Sequence, residues 1–289
     1  MAAGDTGNFA GALQEIIADA IVSFRKANVC MPLVTVESRP KADQITFPVW
    51  NRGSNVLTSS DVGTHSESDA TAISATQLDS DKKTLTLDMY SVRVPVHDEA
   101  VYSNADDISG RVGALLGNAL AAKVDLILAT LFDGFGTSVA DTTNGISIDD
   151  IFSALGTLNN SSAPAPFSMV HHPQAIWGTY GLSNDLVTSN QFGGSPSLQD
   201  DMLRSGFVGQ VAGIDVYSSP EVPESGTTDA KGAIFSKEAL GFGWAGSELF
   251  NVEVWRAGDR LKTDYIGSMF AAGGELVDAY GIEMYHKVA

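Results

Sequence analysis

The sequence predicts an elongated α+β protein in which a terminal arm, an extended hairpin and one long helix precede a mixed α/β region and a closing set of strands. Three observations predict it. Residues 105–133 carry a helical apolar stripe much longer than any neighbouring element. Residues 44–51 and 83–96 read as strands on either side of a long polar linker. From Ser147 onward, short helical and strand-like runs alternate until strands dominate the end of the chain.

The arm, 1–43, opens with Phe9, Leu13, Ile16, Ile17, Ala20, Ile21 and Phe24 at three-and-four spacing, a short amphipathic helix over 9–27. Pro32 and Pro40 then impose extended chain. Such a helix can pack on its own core or on a neighbouring molecule, and its spacing does not choose between them.

The hairpin, 44–96, pairs QITFPVWN with KTLTLDMYSVRVPV, whose Leu85, Leu87 and Met89, then Val92, Val94 and Val96, alternate as in a strand. Between them, residues 53–81 hold seven Ser, four Thr and five acids but no Lys or Arg. That exceeds the ~12–15 residues at which structureless loops become uncommon in compact domains. It reads either as a surface insertion or as an arm that orders against a partner. The strands on both sides favour one long hairpin projecting from the body.

In 97–145, Asn104 is a good helix cap, Asp106 and Asp107 suit the positive end of the helix dipole, and Gly134 and Gly136 end the run. The stripe includes Ile108, Val112, Leu116, Leu120, Val124, Ile127 and Leu131. At 1.5 Å per residue it spans about 43 Å. Gly110, Gly113 and Gly117 each cost about 1 kcal/mol against Ala in a helix, so they point to close approach of another backbone.

Ser147 caps a helix bearing Ile151, Leu155 and Leu158, opening the α/β region 146–246. Phe167–His171 reads as a buried strand, 173–180 as a helix start, 181–200 as Gly-rich loop, 208–218 as a turn into a strand, and 232–235 as a further short strand. In 247–278, the runs 250–256 and 262–272 form paired strands around Gly258-Asp259. Residues 279–289 supply a terminal strand.

Composition narrows the function classes. The 289 residues are 44% hydrophobic but only 18% charged, below the roughly 25% of an average soluble protein, as for a chain that covers much of its surface with neighbours. Thirty-five acids against 17 bases leave a net charge of −18, shared by both halves, which argues against gripping nucleic acid. The single cysteine, Cys30, excludes an intrachain disulfide and reads as a small buried hydrophobe. Residues 1–11 lack the pattern of a secretory signal, and no run approaches the ~18 apolar residues of a membrane span. A soluble, reducing compartment is expected.

Catalytic chemistry finds little footing. The histidines are His65, His97, His171, His172 and His286. Adjacent strand residues face opposite sides, so His171-His172 makes a poor chelate. His97-Asp98-Glu99 sits where acids begin a helix. No nucleophile, phosphate-loop or metalloprotease motif occurs, so no catalytic residue, cofactor or metal is expected. Arg256, Arg260 and Lys262 form the one basic cluster of the second half. They read either as internal salt bridges or as intersubunit contacts to acids of the polar linker, with Asp61, Glu67 and Asp69 as partners.

The order of parts resembles the major capsid proteins of tailed bacteriophages, with the Hong Kong phage-type capsid fold shared by encapsulin shells. VRVPVHDEAVYSNADD resembles the entry to that family's spine helix. VGQVAGIDVYSSPEVP resembles an axial-domain turn and strand, and RLKTDYIGSMFAAGGELVDAYGIEMY is similar to its closing strands. The resemblance implies an N-terminal arm (1–43), an extended hairpin loop (44–96), a peripheral domain with the spine helix (97–145), an α/β axial domain (146–246), peripheral strands (247–278) and an axial return strand (279–289). It further implies self-assembly as hexamers and pentamers into an icosahedral virion shell around double-stranded DNA. Assembly would take place in the host cytoplasm. Expected partners are a portal protein, a separate scaffolding protein and a decoration protein, with DNA nearby but not specifically bound and no membrane. Some relatives join subunits through a loop lysine; Lys82 and Lys83 lie in the hairpin, but no acceptor is identified. The rival readings are an encapsulin-like compartment, a hydrolase or metal enzyme using His171 or His97, and a secreted β-rich adhesin, which the long helix disfavours.

Overall fold

The computed structural model describes residues 16–24, 27–52, 55–56, 79–99, 108–183, 209–226 and 228–289. Its strands in the first half are β1 (Thr35–Arg39), β2 (Gln44–Arg52), β3 (Asn55–Val56), β4 (Asp79–Thr86), β5 (Asp88–His97) and β6 (Ser138–Asp141). There follow β7 (Phe167–His171), β8 (Gln210–Val211), β9 (Ile214–Ser218), β10 (Glu224–Ser225) and β11 (Asp229–Ser236). The last are β12 (Leu240–Ala245), β13 (Phe250–Ala257), β14 (Lys262–Glu275) and β15 (Gly281–Lys287).

They form three sheets. The first runs β1-β12-β14-β13, with β5 on the other side of β14. The second runs β6-β15-β11-β7-β9-β8, with β10 on β11. The third, β3-β2-β4, is the base of the hairpin. The chain is thus α+β, and β14 is its organising strand: it pairs over 262–271 with β5, over 262–269 with β13 and over 271–275 with β12.

The expected strand 83–96 is not one strand. It breaks at Leu87, whose side chain is buried and whose amide donates to the Asp43 carbonyl at 3.0 Å. β4 before the break serves the hairpin, and β5 after it serves the first sheet, so a single alternating pattern feeds two sheets. Strands β6 and β12 were not legible. β6 has only four residues, and β12 (LGFGWA) hides its alternation behind glycines, yet it joins β1 to β14.

The long helix, Ile108–Ala129, stops short of the expected residue 133 and tightens into a 3₁₀ turn at Phe132–Gly134. Its expected cap Asn104, with Asp106 and Asp107, lies outside the described residues. Contrary to the sequence expectation, the stretch Arg111–Gly134 is long and apolar enough by composition to cross a membrane. Half of that window is buried inside the protein, where Leu116, Leu120, Val124 and Leu128 face the main core. Its hydrophobicity is that of a core helix.

A second core lies over the seven-stranded sheet. Helix Ile148–Asn160 begins with a capping box, Ser147 Oγ accepting from the Asp150 amide at 3.2 Å while Asp150 accepts from the Ser147 amide at 2.9 Å. Ile148, Ile151, Ala154 and Leu158 then pack with Met169, Ile214, Ile234 and Met284. The helix after Pro173 is a single turn, Pro173–Trp177, shorter than expected. β11 separates this core from the main one, since successive side chains alternate between faces: Ile234 joins the second core, Ala233 and Phe235 the first.

Candidate functional site

The arm is bound to the long helix at two places. Residues 16–24 are helical and lie against the glycines of the long helix: a Cβ at Gly113 would stand 2.7 Å from the Ile16 carbonyl oxygen. The glycines thus mark a backbone-to-backbone contact, and the partner is the chain's own arm. On its other flank this helix sets Phe24 against Phe250, ring centroids 5.6 Å apart.

Where the arm turns extended, Asp125 of the long helix receives the chain. Its carboxylate accepts from Asn28 Nδ2 at 3.0 Å, from the Val29 amide at 3.0 Å and from the Cys30 amide at 2.9 Å. Asn28 Oδ1 in turn accepts from the Met31 amide. Burial pushes the Asp125 carboxyl upward, against the pull of the Cys30 and Val29 amides. Cys30 is fully buried, and burial with the adjacent Asp125 charge drives its thiol far above the usual range. It packs as the small buried residue that the sequence implied.

Beside this junction lies an open groove of about 710 Å³ lined by Ile21, Phe24, Met31, Val36, Trp244 and Phe250, with Lys237 and Glu248 among its polar groups.

The basic cluster divides into three different environments. Arg256 forks onto Asp98, with Nη2 donating to Oδ2 at 2.6 Å, and its Nη1 also donates to Thr263 Oγ1 at 3.2 Å. The Arg256 guanidinium holds the Asp98 carboxyl below its ordinary value. Lys262 is largely buried, with Nζ 3.5 Å from Oδ1 of the enclosed Asp264, which Arg93 also binds. Arg93, ahead of Lys262, holds the Asp264 carboxyl down. Arg260 differs: its side chain is 72% exposed and, among the described residues, pairs with the equally exposed Asp259, at 3.7 Å. Sequence reasoning grouped the three; the half-exposed Arg256 is tied to Asp98, and Arg260 is the most exposed of them. Asp61, Glu67 and Asp69 lie outside the described residues, so no contact between them and the cluster is placed.

Next to Arg260, Leu261 is 65% exposed in a left-handed conformation (φ 48°), at the tip between β13 and β14. Trp255 on β13 is 56% exposed, with the Arg93 guanidinium 5.9 Å from its ring centre. An exposed tip carrying a leucine, a tryptophan and an outward arginine has the make-up of a contact surface. Its apolar residues were not singled out from sequence, although the tryptophan and leucine flanking a turn were the available signal.

The described histidines sit in different settings. Asp98, the carboxylate drawn beside His97, is engaged by Arg256. His172 accepts from the Gln174 amide at 3.3 Å and so caps the short helix, while His171 turns into the core. His65 lies outside the described residues. Among the described residues, no group of three or more His, Cys, Asp or Glu could hold a metal ion.

A three-sheet body with a hairpin base, a long helix laid along it and an arm bound back onto that helix is the fold of phage capsid subunits. The chain matches the capsid structure of Cyanophage P-SCSP1u, with a TM-score of 0.66, 20% identity and coverage of 91% of this chain and 89% of that one. It matches a structure from Mycobacterium phage Che8 with a TM-score of 0.65, 17% identity and coverage of 89% and 90%. The encapsulin SrpI from Synechococcus elongatus follows the same fold, with a TM-score of 0.59, 15% identity and coverage of 88% and 85%. No curated protein matches the chain. A family model described as phage capsid protein matches residues 81–283, more than two thirds of the length. The chain belongs to the phage capsid protein family.

Proposed function

We propose that the chain is the repeating subunit of the shell: hexamers and pentamers of it close an icosahedral capsid around the double-stranded DNA of a tailed bacteriophage. The observation that carries this reading is family membership over 81–283 together with a fold match that covers 91% of the chain. The same fold encloses cargo in encapsulins, and the family match favours the phage reading over that one.

The mechanism is assembly rather than catalysis. Contacts of modest strength, repeated on every subunit, multiply into a stable closed object. The hairpin 44–96 would reach across an adjacent copy, and the tip at Arg260 and Leu261 offers a surface for such a contact. Acids of the 53–81 segment complement Arg260 in charge, which supports Asp61, Glu67 and Asp69 as its partners across the interface. Assembly in the host cytoplasm, with portal, separate scaffolding and decoration proteins, follows from the family resemblance. A net charge of −18 would keep packaged DNA from adhering to the wall.

Electron microscopy of the purified protein, alone and co-expressed with its neighbouring gene products, tests the reading. Closed shells are expected in at least one condition. Small monodisperse particles in all of them would overturn it.

A further inference from the structure

Two histidines that the shell reading does not use are enclosed in the second core. His171 ends β7 and His286 lies near the end of β15, the two strands that flank β11. Neither side chain has any exposure to solvent. Their ring centres are 6.1 Å apart. The site is fitted to the His171 ring, because a Cβ at Gly232 on β11 would lie 2.5 Å from its ring atoms.

Enclosure favours the neutral form of both rings. His171 Nδ1 accepts from the His172 amide at 2.8 Å, so its proton sits on Nε2, for which the Met284 backbone is only a weak partner. Among the described residues, neither nitrogen of His286 makes a well-formed hydrogen bond, and the Met284 backbone and Asp150 pull on it weakly. Its Nε2 is 3.4 Å from Asp150 Oδ2, but that oxygen is already occupied by the Ser147 amide and hydroxyl.

The groups facing the pair are few. Helix Ile148–Asn160 brings Asp150, with Asp149 beside it, β6 brings Asp141 opposite His286, and the loop after β7 brings His172, itself 3.4 Å from Glu224. On β9, β11 and β15, the residues Asp215, Tyr217, Asp229, Lys231, Glu283, Tyr285 and Lys287 alternate to the opposite face.

We propose that this pair is an acid-responsive joint. A proton on either ring places a charge in an enclosed site that the Met284 backbone and, for His286, Asp150 and Asp141 answer only in part, and it separates β7 and helix Ile148–Asn160 from β15. The seven-stranded sheet therefore loosens below neutral pH while the β14 sheet holds. Burial, then His286 and His172, lowers the His171 titration to about 3. Burial also lowers that of His286, outweighing the opposite pull of Asp150 and Asp141. With folded values below the unfolded one of about 6.5, stability is complete above pH 6.5 and is lost as pH falls. Each unit below costs about tenfold in the folded-to-unfolded ratio for each such histidine, hence about 30-fold for His171 at pH 5.

Hydrogen exchange of the full chain at pH 7.5, 6.0 and 5.0, corrected for intrinsic rates, tests the proposal. Protection of Phe167–His171, Asp229–Ser236 and Gly281–Lys287 should fall about 30-fold or more by pH 5 while Lys262–Glu275 changes little. His171→Leu and His286→Gln should each flatten that dependence. An equal loss in both sheets, or an unaltered dependence in folded variants, would overturn it. Should neither variant fold, the histidine ring shifts of the wild-type protein decide. Both rings neutral at pH 5.5 support the joint, and a charged ring at that pH refutes it.

Discussion

The carbonyl oxygen of Ala20 occupies the place that a side chain at Gly117 would need: a Cβ there would lie 2.3 Å from it. Backbone of the arm and backbone of the long helix touch directly, and only glycine permits it. Gly117→Leu should expel the arm helix, lowering stability by about 1–3 kcal/mol, as overpacking of a tight contact does. Denaturant titration measures the loss, and limited proteolysis should cut within 16–24. Gly156→Ala is the control. A Cβ there meets open space, and the change should stabilise helix Ile148–Asn160 by about 1 kcal/mol.

Asp125→Ala removes the acceptor for the buried Cys30 amide and the part-buried Val29 amide. Each stranded amide costs about 1–3 kcal/mol, so the junction should open. Cys30 reports the opening. Buried and held in the thiol form in the wild-type protein, it should react slowly with a maleimide there and at least tenfold faster in the variant. Unchanged labelling would show that Asp125 does not secure the arm.

These two contacts show what was legible in the sequence. Gly113 and Gly117 announced a close backbone approach because glycine in a helix interior is unfavourable on its own. Nothing in the spacing said that the partner was residues 16–24, since an amphipathic helix buries equally well on any apolar face. Ser147 was readable as a cap because that signal is local. Asp125 was not readable: a single acid on an apolar helix stripe looks like an exposed residue until the turn at 28–30 folds over it. For Arg256, Arg260 and Lys262, internal salt bridges and intersubunit contacts stayed open in the sequence for the same reason. Their common charge was visible, but the acids that engage two of them, Asp98 and Asp264, are fixed by strand pairing.

Asp264 should titrate below the ordinary carboxyl value of 3.8, held there first by Arg93 and then by Lys262. A folded value below the unfolded one gives stability that is present above about pH 3.8 and lost as pH falls through the lower folded value. Carboxyl carbon shifts of Asp264 followed from pH 5 to pH 2 check it. Arg93→Gln should move the midpoint upward; an unmoved midpoint would remove Arg93 as the cause.

Assembly and folding should separate within the basic cluster. Arg260→Glu is expected to leave the thermal midpoint within about 2 °C, as an exposed change does, while reducing shell yield several-fold. Arg256→Ala should lower the midpoint, because it breaks the fork to Asp98. Sedimentation beside thermal melts distinguishes the two effects. Identical shell yield from Arg260→Glu would remove the tip arginine from the interface.

Deletion of residues 54–80 should leave a folded chain that assembles poorly, as judged by the melt of the soluble protein and by shell counts in micrographs. Full assembly of the deletion would withdraw the hairpin from intersubunit contact.

The chain passes three times between the β14 sheet and the seven-stranded sheet: at 130–137, at 237–239 and at 276–280. These crossings are fastened to one another. The Ala239 carbonyl accepts from the Leu276 amide at 2.8 Å and the Val277 amide at 3.2 Å, and the Asp278 carboxylate accepts from the Gly136 amide at 2.6 Å. Such a neck is a weld and not a pivot, since turning one half against the other must shear all three strands together. A container made of this part can then accommodate different curvatures by re-seating whole subunits against one another, with the waist of each held stiff.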